Sequence, residues 1–393
     1  VVYVDSVVVD APKAQGTPRP SEGTPPKAKG TPSAAAPEPS LRSREGAPAS
    51  EGGVLEGGVP KKERVVRAVS MADKEGYLAE GQLETVKGLE GQMGYSKSPN
   101  EWRENKFMTV TLNLPNSITG KFLIDTASPQ SIISKATEKL LGNFAKKNIP
   151  ESSPDNALNP TDPYRVQIDQ VLLDGMPLGE FKPFVTSDRF LPLEMPEVIG
   201  IIGLDFLSNF DVDFNFKDGK IQLFRQGMLL RHNPSLKGGS QVDVGVRLNP
   251  RGGLETEVQL FQDDKEGPII PAVIDTGLSY TMLNWAAANL IGANKEGKGG
   301  VRLGHAYAAG DDGKPMPLAE VPAGVRFPSA IRPLQISQRV LTIGDDSVFD
   351  NVGYTDQPAV VLGLDVLADS PWANRLVFSM ALERMRLCTA PVA

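Results

Sequence analysis

The chain has 393 residues, 40% hydrophobic and 23% charged, with a formal net charge of -7 and a pI near 5.2. That length suggests two or three domains with ample material for a core, and the acidic balance, without a basic stripe interleaved with aromatics, argues against nucleic acid as a partner. A lone cysteine, Cys388, excludes an intramolecular disulfide and points to an intracellular, reducing compartment. The two histidines, His232 and His305, stand apart without Cys or His at ligand spacing, so no metal or other cofactor is expected. No apolar run approaches the ~18 residues that span a bilayer, so no integral membrane segment is expected.

Residues 1–60 are dominated by Pro, Ala, Gly, Ser, Thr and Lys beyond the first nine. So few large apolar side chains cannot offset chain entropy, which predicts a disordered tail. Its basic, Ala/Ser/Pro-rich character and the missing initiator Met read as a processed precursor of the chloroplast or another organelle, with the cytoplasm as the alternative. Residues 61–100 carry Val65, Val66, Val69, Met71, Leu78, Leu83, Val86 and Leu89 among charges at loosely helical spacing. This predicts a helical linker or extension that packs on the next domain or, with the tail, engages a protein partner.

From Phe107 the period becomes that of strands. Phe107 to Leu114 alternates, Pro115-Asn116-Ser117 supplies a turn, and Thr119 to Ile124 runs into Asp125. A hairpin is expected from Tyr164 to Leu173 and Phe181 to Thr186, turned at Asp174-Gly175. The plan then repeats: Gln241 to Leu248, a turn at Asn249 to Gly253, Leu254 to Phe261, and Ile269 to Ile274 into Asp275. Val301 to Tyr307 and Met316 to Val321 flank a hairpin tip at Ala309 to Lys314. These strands predict two mainly β halves, residues 101–235 and 236–393, with the boundary near Arg231 to Gly239.

The strongest signal is a duplication. Phe122 to Gly142 (FLIDTASPQSIISKATEKLLG) aligns without a gap with Ala272 to Gly292 (AVIDTGLSYTMLNWAAANLIG). Each half carries a second echo, Ile202-Gly203-Leu204-Asp205 and Leu362-Gly363-Leu364-Asp365. A repeat this long points to two homologous lobes rather than a solenoid. Each strand run ends in Asp-Thr-small, where small residues let backbone N–H groups approach a carboxylate. If a pseudo-twofold brings Asp125 and Asp275 together, the like charges share one proton, giving a general base and a general acid at one site. No G-x-S-x-G, Cys/His pair or H-E-x-x-H competes.

On these motifs the chain, over about residues 106 to 390, resembles the aspartic proteases, and two fused retropepsin-like lobes more than a secreted pepsin. The resemblance implies a bilobal acid-protease fold of two β-barrel-like lobes, with an active site in the cleft between them. It implies an aspartic endopeptidase that cleaves a polypeptide substrate, with Asp125 and Asp275 as catalytic pair. Thr126 and Thr276 would lock the two active-site loops, supported by Ala127, Ser128 and Gly277, while Ile202, Gly203, Leu362 and Gly363 would form the apolar-Gly loops. Ser128 fits the position whose hydroxyl bonds an aspartate; Tyr164 is a candidate flap aromatic, with a packed or exposed loop tyrosine as the favoured reading. Asp205 and Asp365 read as caps of short helices.

Two positions depart from the pattern: Ala127 stands where Gly is commonest, and Leu278 cannot supply a hydroxyl. They keep a second reading open, a catalytically weak or inactive lobe pair that binds an extended polypeptide or serves in a larger assembly.

Overall fold

The structure is a computed structural model that describes residues 76–87, 106–147, 164–186, 197–232, 241–309, 315–329, 333–344, 347–368 and 374–388. The expected 1–60 tail, most of the 61–100 extension, most of the expected boundary, the hairpin tip at 310–314 and the His232 and His305 side chains lie outside these residues.

The protein is mainly β. The first half runs β1 (Tyr77–Lys87), β2 (Lys106–Leu114), β3 (Ile118–Ile124), β4 (Ile132–Ser134), α1 (Lys135–Leu141), β5 (Lys146–Lys147), β6 (Tyr164–Gln167), β7 (Leu172–Leu173), β8 (Met176–Pro177), β9 (Phe184–Thr186), β10 (Val198–Ile202), α2 (Leu204–Leu207), β11 (Phe210–Asn215), β12 (Lys220–Arg225) and α3 (Leu229–His232). The second half runs β13 (Gln241–Gly245), β14 (Arg247–Leu248), β15 (Leu254–Gln262), β16 (Lys265–Ile274), β17 (Met282–Leu283), α4 (Trp285–Leu290), β18 (Arg302–Ala309), β19 (Pro315–Phe327), β20 (Leu334–Ile343), α5 (Ser347–Asn351), β21 (Val360–Leu362), α6 (Leu364–Leu367), β22 (Arg375–Ser379) and β23 (Arg384–Cys388).

Both halves use the same pairing. β3 lies parallel to β10 with Ile124 beside Ile202, β10 runs antiparallel to β4, and β4 lies parallel to β9. In the second half β16 lies parallel to β21 with Ile274 beside Leu362, β21 runs antiparallel to β17, and β17 lies parallel to β20. A further pairing of β15 with β19 closes the second-half sheet into a barrel. The helix after each Asp-Thr motif is capped at matched positions, α1 by Ser134 accepting Thr137 N–H and α4 by Asn284 accepting Ala287 N–H.

The halves share one ladder. In the order β13-β23-β22-β11-β12-β1, β11 of the first half pairs antiparallel with β22 of the second. Across it the fully buried Asp213 accepts a two-pronged bond from Arg375, whose Nε lies 2.6 Å from Oδ1. Cys388 sits buried on β23, and burial pushes its thiol up to about 11, leaving it an inert core residue at neutral pH.

The described part of the expected 61–100 helix is a strand. β1 pairs with β12 on one side and β2 on the other. A register shift between Tyr77 and Ala79 displaces Leu78, after which Ala79, Gly81 and Leu83 follow period two toward the core; the strand is decided by these pairings rather than by the spacing of its apolar residues. A side chain at Gly81 would overlap Leu173 and crowd Val110, so only glycine lets β1 dock there. The first-half hairpin is also more broken than expected: β7 and β8 close tightly on Asp174 (φ 47) and Gly175 (φ 81), and Ile168 and Phe181 form an isolated bridge.

Candidate active site

β3 buries its last residues, Phe122 to Ile124, and delivers Asp125 at its end; Asp125 N–H donates to Ile202 O at 3.0 Å. β16 delivers Asp275 likewise, its N–H donating to Leu362 O at 3.0 Å. The following Gly203 and Gly363 pass against the Asp loops. A Cβ at Gly203 would lie 2.9 Å from Ser128 O and collide with the Gln130 backbone, and one at Gly363 would lie 2.6 to 2.8 Å from the Tyr280 backbone. Glycine is therefore required at both crossings.

This framework brings the two carboxyl groups into hydrogen-bond contact. Asp125 is 7% exposed and Asp275 fully buried. Asp125 Oδ1 accepts Ala127 and Ser128 N–H, both at 2.9 Å, and Asp275 Oδ1 accepts Gly277 N–H at 2.8 Å. Burial raises the Asp125 carboxyl above its ordinary value, opposed by the N–H groups of Ser128 and Ala127. Two carboxyls in contact retain a proton between them and titrate as a pair. Such a pair can take a proton at one oxygen while donating one from another.

Beneath the carboxyls the threonines are exchanged between loops. Thr126 Oγ1 donates to Ile274 O at 2.6 Å and accepts Thr276 N–H at 3.1 Å. Thr276 Oγ1 donates to Ile124 O at 2.8 Å and accepts Thr126 N–H at 3.2 Å. Each half thus satisfies buried backbone groups of the other.

Ala127 and Gly277 occupy matching positions with different surroundings. A Cβ at Gly277 would lie 3.0 Å from Asp125 Cγ and 3.2 Å from Asp275 Oδ1, tighter than ordinary contact, so the carboxyls would have to give by a few tenths of an ångström. The Ala127 side chain belongs instead to an apolar cluster of the second half with Val273, Leu278 and Met282, and its N–H keeps its bond to Asp125. Its methyl does not displace the carboxylate, and Leu278 is a core residue of that cluster.

Two expectations need correction. Ser128 Oγ donates to Gln130 O at 2.8 Å rather than to an aspartate: the loop presents the Gln130 carbonyl to the hydroxyl, and the backbone N–H of Ser128 is what reaches Asp125. Asp205 and Asp365 do not cap the helices in which they lie: the N-caps are Gly203 and Gly363, without side-chain bonds. Asp205 Oδ1 accepts both N–H (2.8 Å) and Oγ–H (2.6 Å) of Ser131, whose hydroxyl accepts Gly203 N–H at 3.0 Å. Thr281 repeats this with Asp365 and Gly363 at 2.8, 2.7 and 3.0 Å. Tyr164 is the packed tyrosine of the favoured reading: it lies against the core and bonds Glu138 through its hydroxyl. The Ser131 and Thr281 ties escaped sequence reasoning, although both hydroxyls fall at one position of the duplicated stretch. Ile202 and Leu362 accept the backbone N–H groups of Asp125 and Asp275, and Gly203 and Gly363 cross the loops that follow those residues.

Among the described residues, no group of three or more His, Cys, Asp and Glu could hold a metal ion, and no helix is long and apolar enough to cross a membrane. No protein-family model and no curated protein matches the chain. Among solved structures, the chain is similar to conglutin gamma, a unique basic 7S globulin from lupine seeds, at 12% identity over 80% of this chain and 96% of that one, with a TM-score of 0.39. Likeness at that level bears on neither the site nor an activity.

Proposed function

We propose that the chain is an aspartic endopeptidase of bilobal acid-protease architecture that hydrolyses peptide bonds with water activated by Asp125 and Asp275. The observation that carries this reading is the pair of buried, hydrogen-bonded carboxyls, each on an Asp-Thr-small loop tied to the other by reciprocal threonine bonds. The ionised carboxyl takes a proton from water, whose oxygen attacks the peptide carbonyl while the protonated carboxyl donates to the carbonyl oxygen. The carboxyl that took the water proton then gives it to the amide nitrogen while a hydroxyl of the tetrahedral diol returns its proton to the other carboxylate; the C–N bond breaks, releasing an acid and an amine and restoring the singly protonated pair. The substrate is an unfolded or extended polypeptide, and the compartment reducing, an organelle such as the chloroplast or else the cytoplasm.

A second reading draws on the burial of the same carboxyls, which also suits a sealed, inactive site whose lobes bind an extended polypeptide or join an assembly. Cleavage of reduced casein from about pH 3 to 8, by wild type, Asp125→Asn and Asp275→Asn, with and without pepstatin, separates the two. Cutting by wild type alone supports the endopeptidase. Equal silence of all three overturns it.

A further inference from the structure

The turn between β14 and β15 belongs to the second half but packs on the Asp125 loop of the first. Leu254 N–H donates to Thr126 O at 3.0 Å. A Cβ at Gly253 would lie 3.0 Å from Ala127 O, and one at Gly252, where φ is 85°, would lie 2.9 Å from Pro129 Cβ. The turn thus touches Thr126, Ala127 and Pro129 in succession, and its two glycines make that approach sterically feasible.

One side chain holds the turn in shape. Asn249 is 5% exposed; its Oδ1 accepts the N–H groups of Arg251 and Gly253, both at 2.9 Å, and its Nδ2 donates to Val352 O at 3.3 Å. Backbone bonds between Asn249 and Gly253 and between Gly252 and Asn249, each 2.9 Å, close the loop. A carboxamide supplies both the acceptor the turn needs and the donor Val352 needs, which neither aspartate nor alanine does.

We propose that Asn249 is a positioning residue for Asp125: by rigidifying the Gly252-Gly253 turn it clamps Thr126 to Pro129, keeping Ala127 and Ser128 N–H aimed at the carboxylate. This rests on the dyad being catalytic only in its kinetic consequence; the clamp itself is a structural claim. Loss of the clamp weakens two bonds that favour ionised Asp125, so the acid limb of the pH–rate profile moves upward.

The test uses the full chain, wild type, Asn249→Ala and Gly253→Ala, the last keeping Asn249 but pressing a methyl on Ala127 O. Amide exchange and steady-state cleavage of casein are measured together. The expected result is exchange at Ala127 and Ser128 faster by about tenfold or more while Gly277 changes by less than about twofold. In parallel, kcat falls about tenfold or more with KM nearly unchanged, because a displacement of a fraction of an ångström suffices. Unchanged exchange at Ala127 and Ser128, or equal acceleration at Gly277, overturns the proposal. If wild type cuts nothing, the protease reading fails alone, and the exchange contrast still decides the clamp. If Asn249→Ala does not fold, Gly253→Ala carries the same comparison.

Discussion

Thr126→Val tests the link between the halves most directly. Valine keeps the shape and burial of threonine but removes the hydroxyl that donates to Ile274 O and accepts Thr276 N–H. Both groups are buried and would lose those partners. A buried backbone group left unsatisfied costs about 1 to 3 kcal/mol, so two give about 2 to 6 kcal/mol. Against a typical total of about 5 to 15 kcal/mol this is a large fraction, and it falls where the two Asp loops meet. Denaturant unfolding with an unchanged slope would read it. Thr256→Val is the control: its hydroxyl makes one bond, to Gly245 O within the second half, and a loss near 1 kcal/mol is expected. Because the two threonine hydroxyls share one network, Thr126→Val/Thr276→Val should be non-additive. A loss below about 1 kcal/mol for Thr126→Val, or one no larger than that of Thr256→Val, would refute the reasoning.

Gly277→Ala places a methyl 3.0 Å from Asp125 Cγ, inside the 3.4 to 4 Å of ordinary contact, so the dyad must shift by about half an ångström and kcat should fall about tenfold or more. Ala127→Gly should change kcat little, and equal effects of the two in a cleavage assay would count against the asymmetry described. Arg375→Met strands the fully buried Asp213 and should cost about 3 to 5 kcal/mol in denaturant unfolding, whereas Asp213→Leu/Arg375→Met recovers most of it. The pH dependence of stability has a definite sign. Because the folded Asp125 carboxyl is raised above 3.8, its stabilising contribution is present at low pH and lost as pH rises through the folded value. Asp125→Asn should therefore gain on wild type as pH rises above the ordinary carboxyl range, and parallel stability curves would exclude a raised carboxyl.

The parts legible from sequence were those in which local chemistry and tertiary placement agree. Asp125 and Asp275 end buried runs where the turning loop brings backbone N–H groups to their carboxyls, and Gly203 and Gly363 are glycine because backbone occupies the space of a Cβ. The same stretches announce their helices, capped by Ser134 and Asn284 and followed by left-handed Gly142 (φ 54) and Gly292 (φ 84). What stayed hidden depends on distant partners. β1 carries no clean strand period of its own, and its pairing with β12 and β2 decides its conformation. Ser128 has two donors, and which one reaches Asp125 follows from backbone geometry rather than residue type. Asp205 opens a helix, as a cap would, yet its partner Ser131 is 74 residues away. Asn249 to Gly253 reads as an ordinary turn, and only the fold puts it against Ala127.

The shared ladder also sets a schedule for biosynthesis. β11 carries Asp213, and its partner Arg375 lies 162 residues later in the chain. At about 5 to 20 residues per second, the ribosome delivers that arginine about 8 to 32 seconds after the aspartate. Until then the first half has an open strand edge and a carboxylate with no cation to meet it, the kind of surface on which nascent chains misassociate. The burden of keeping β11 apart during that interval falls on whatever holds the emerging chain, and the last strands to be made are the ones that end it.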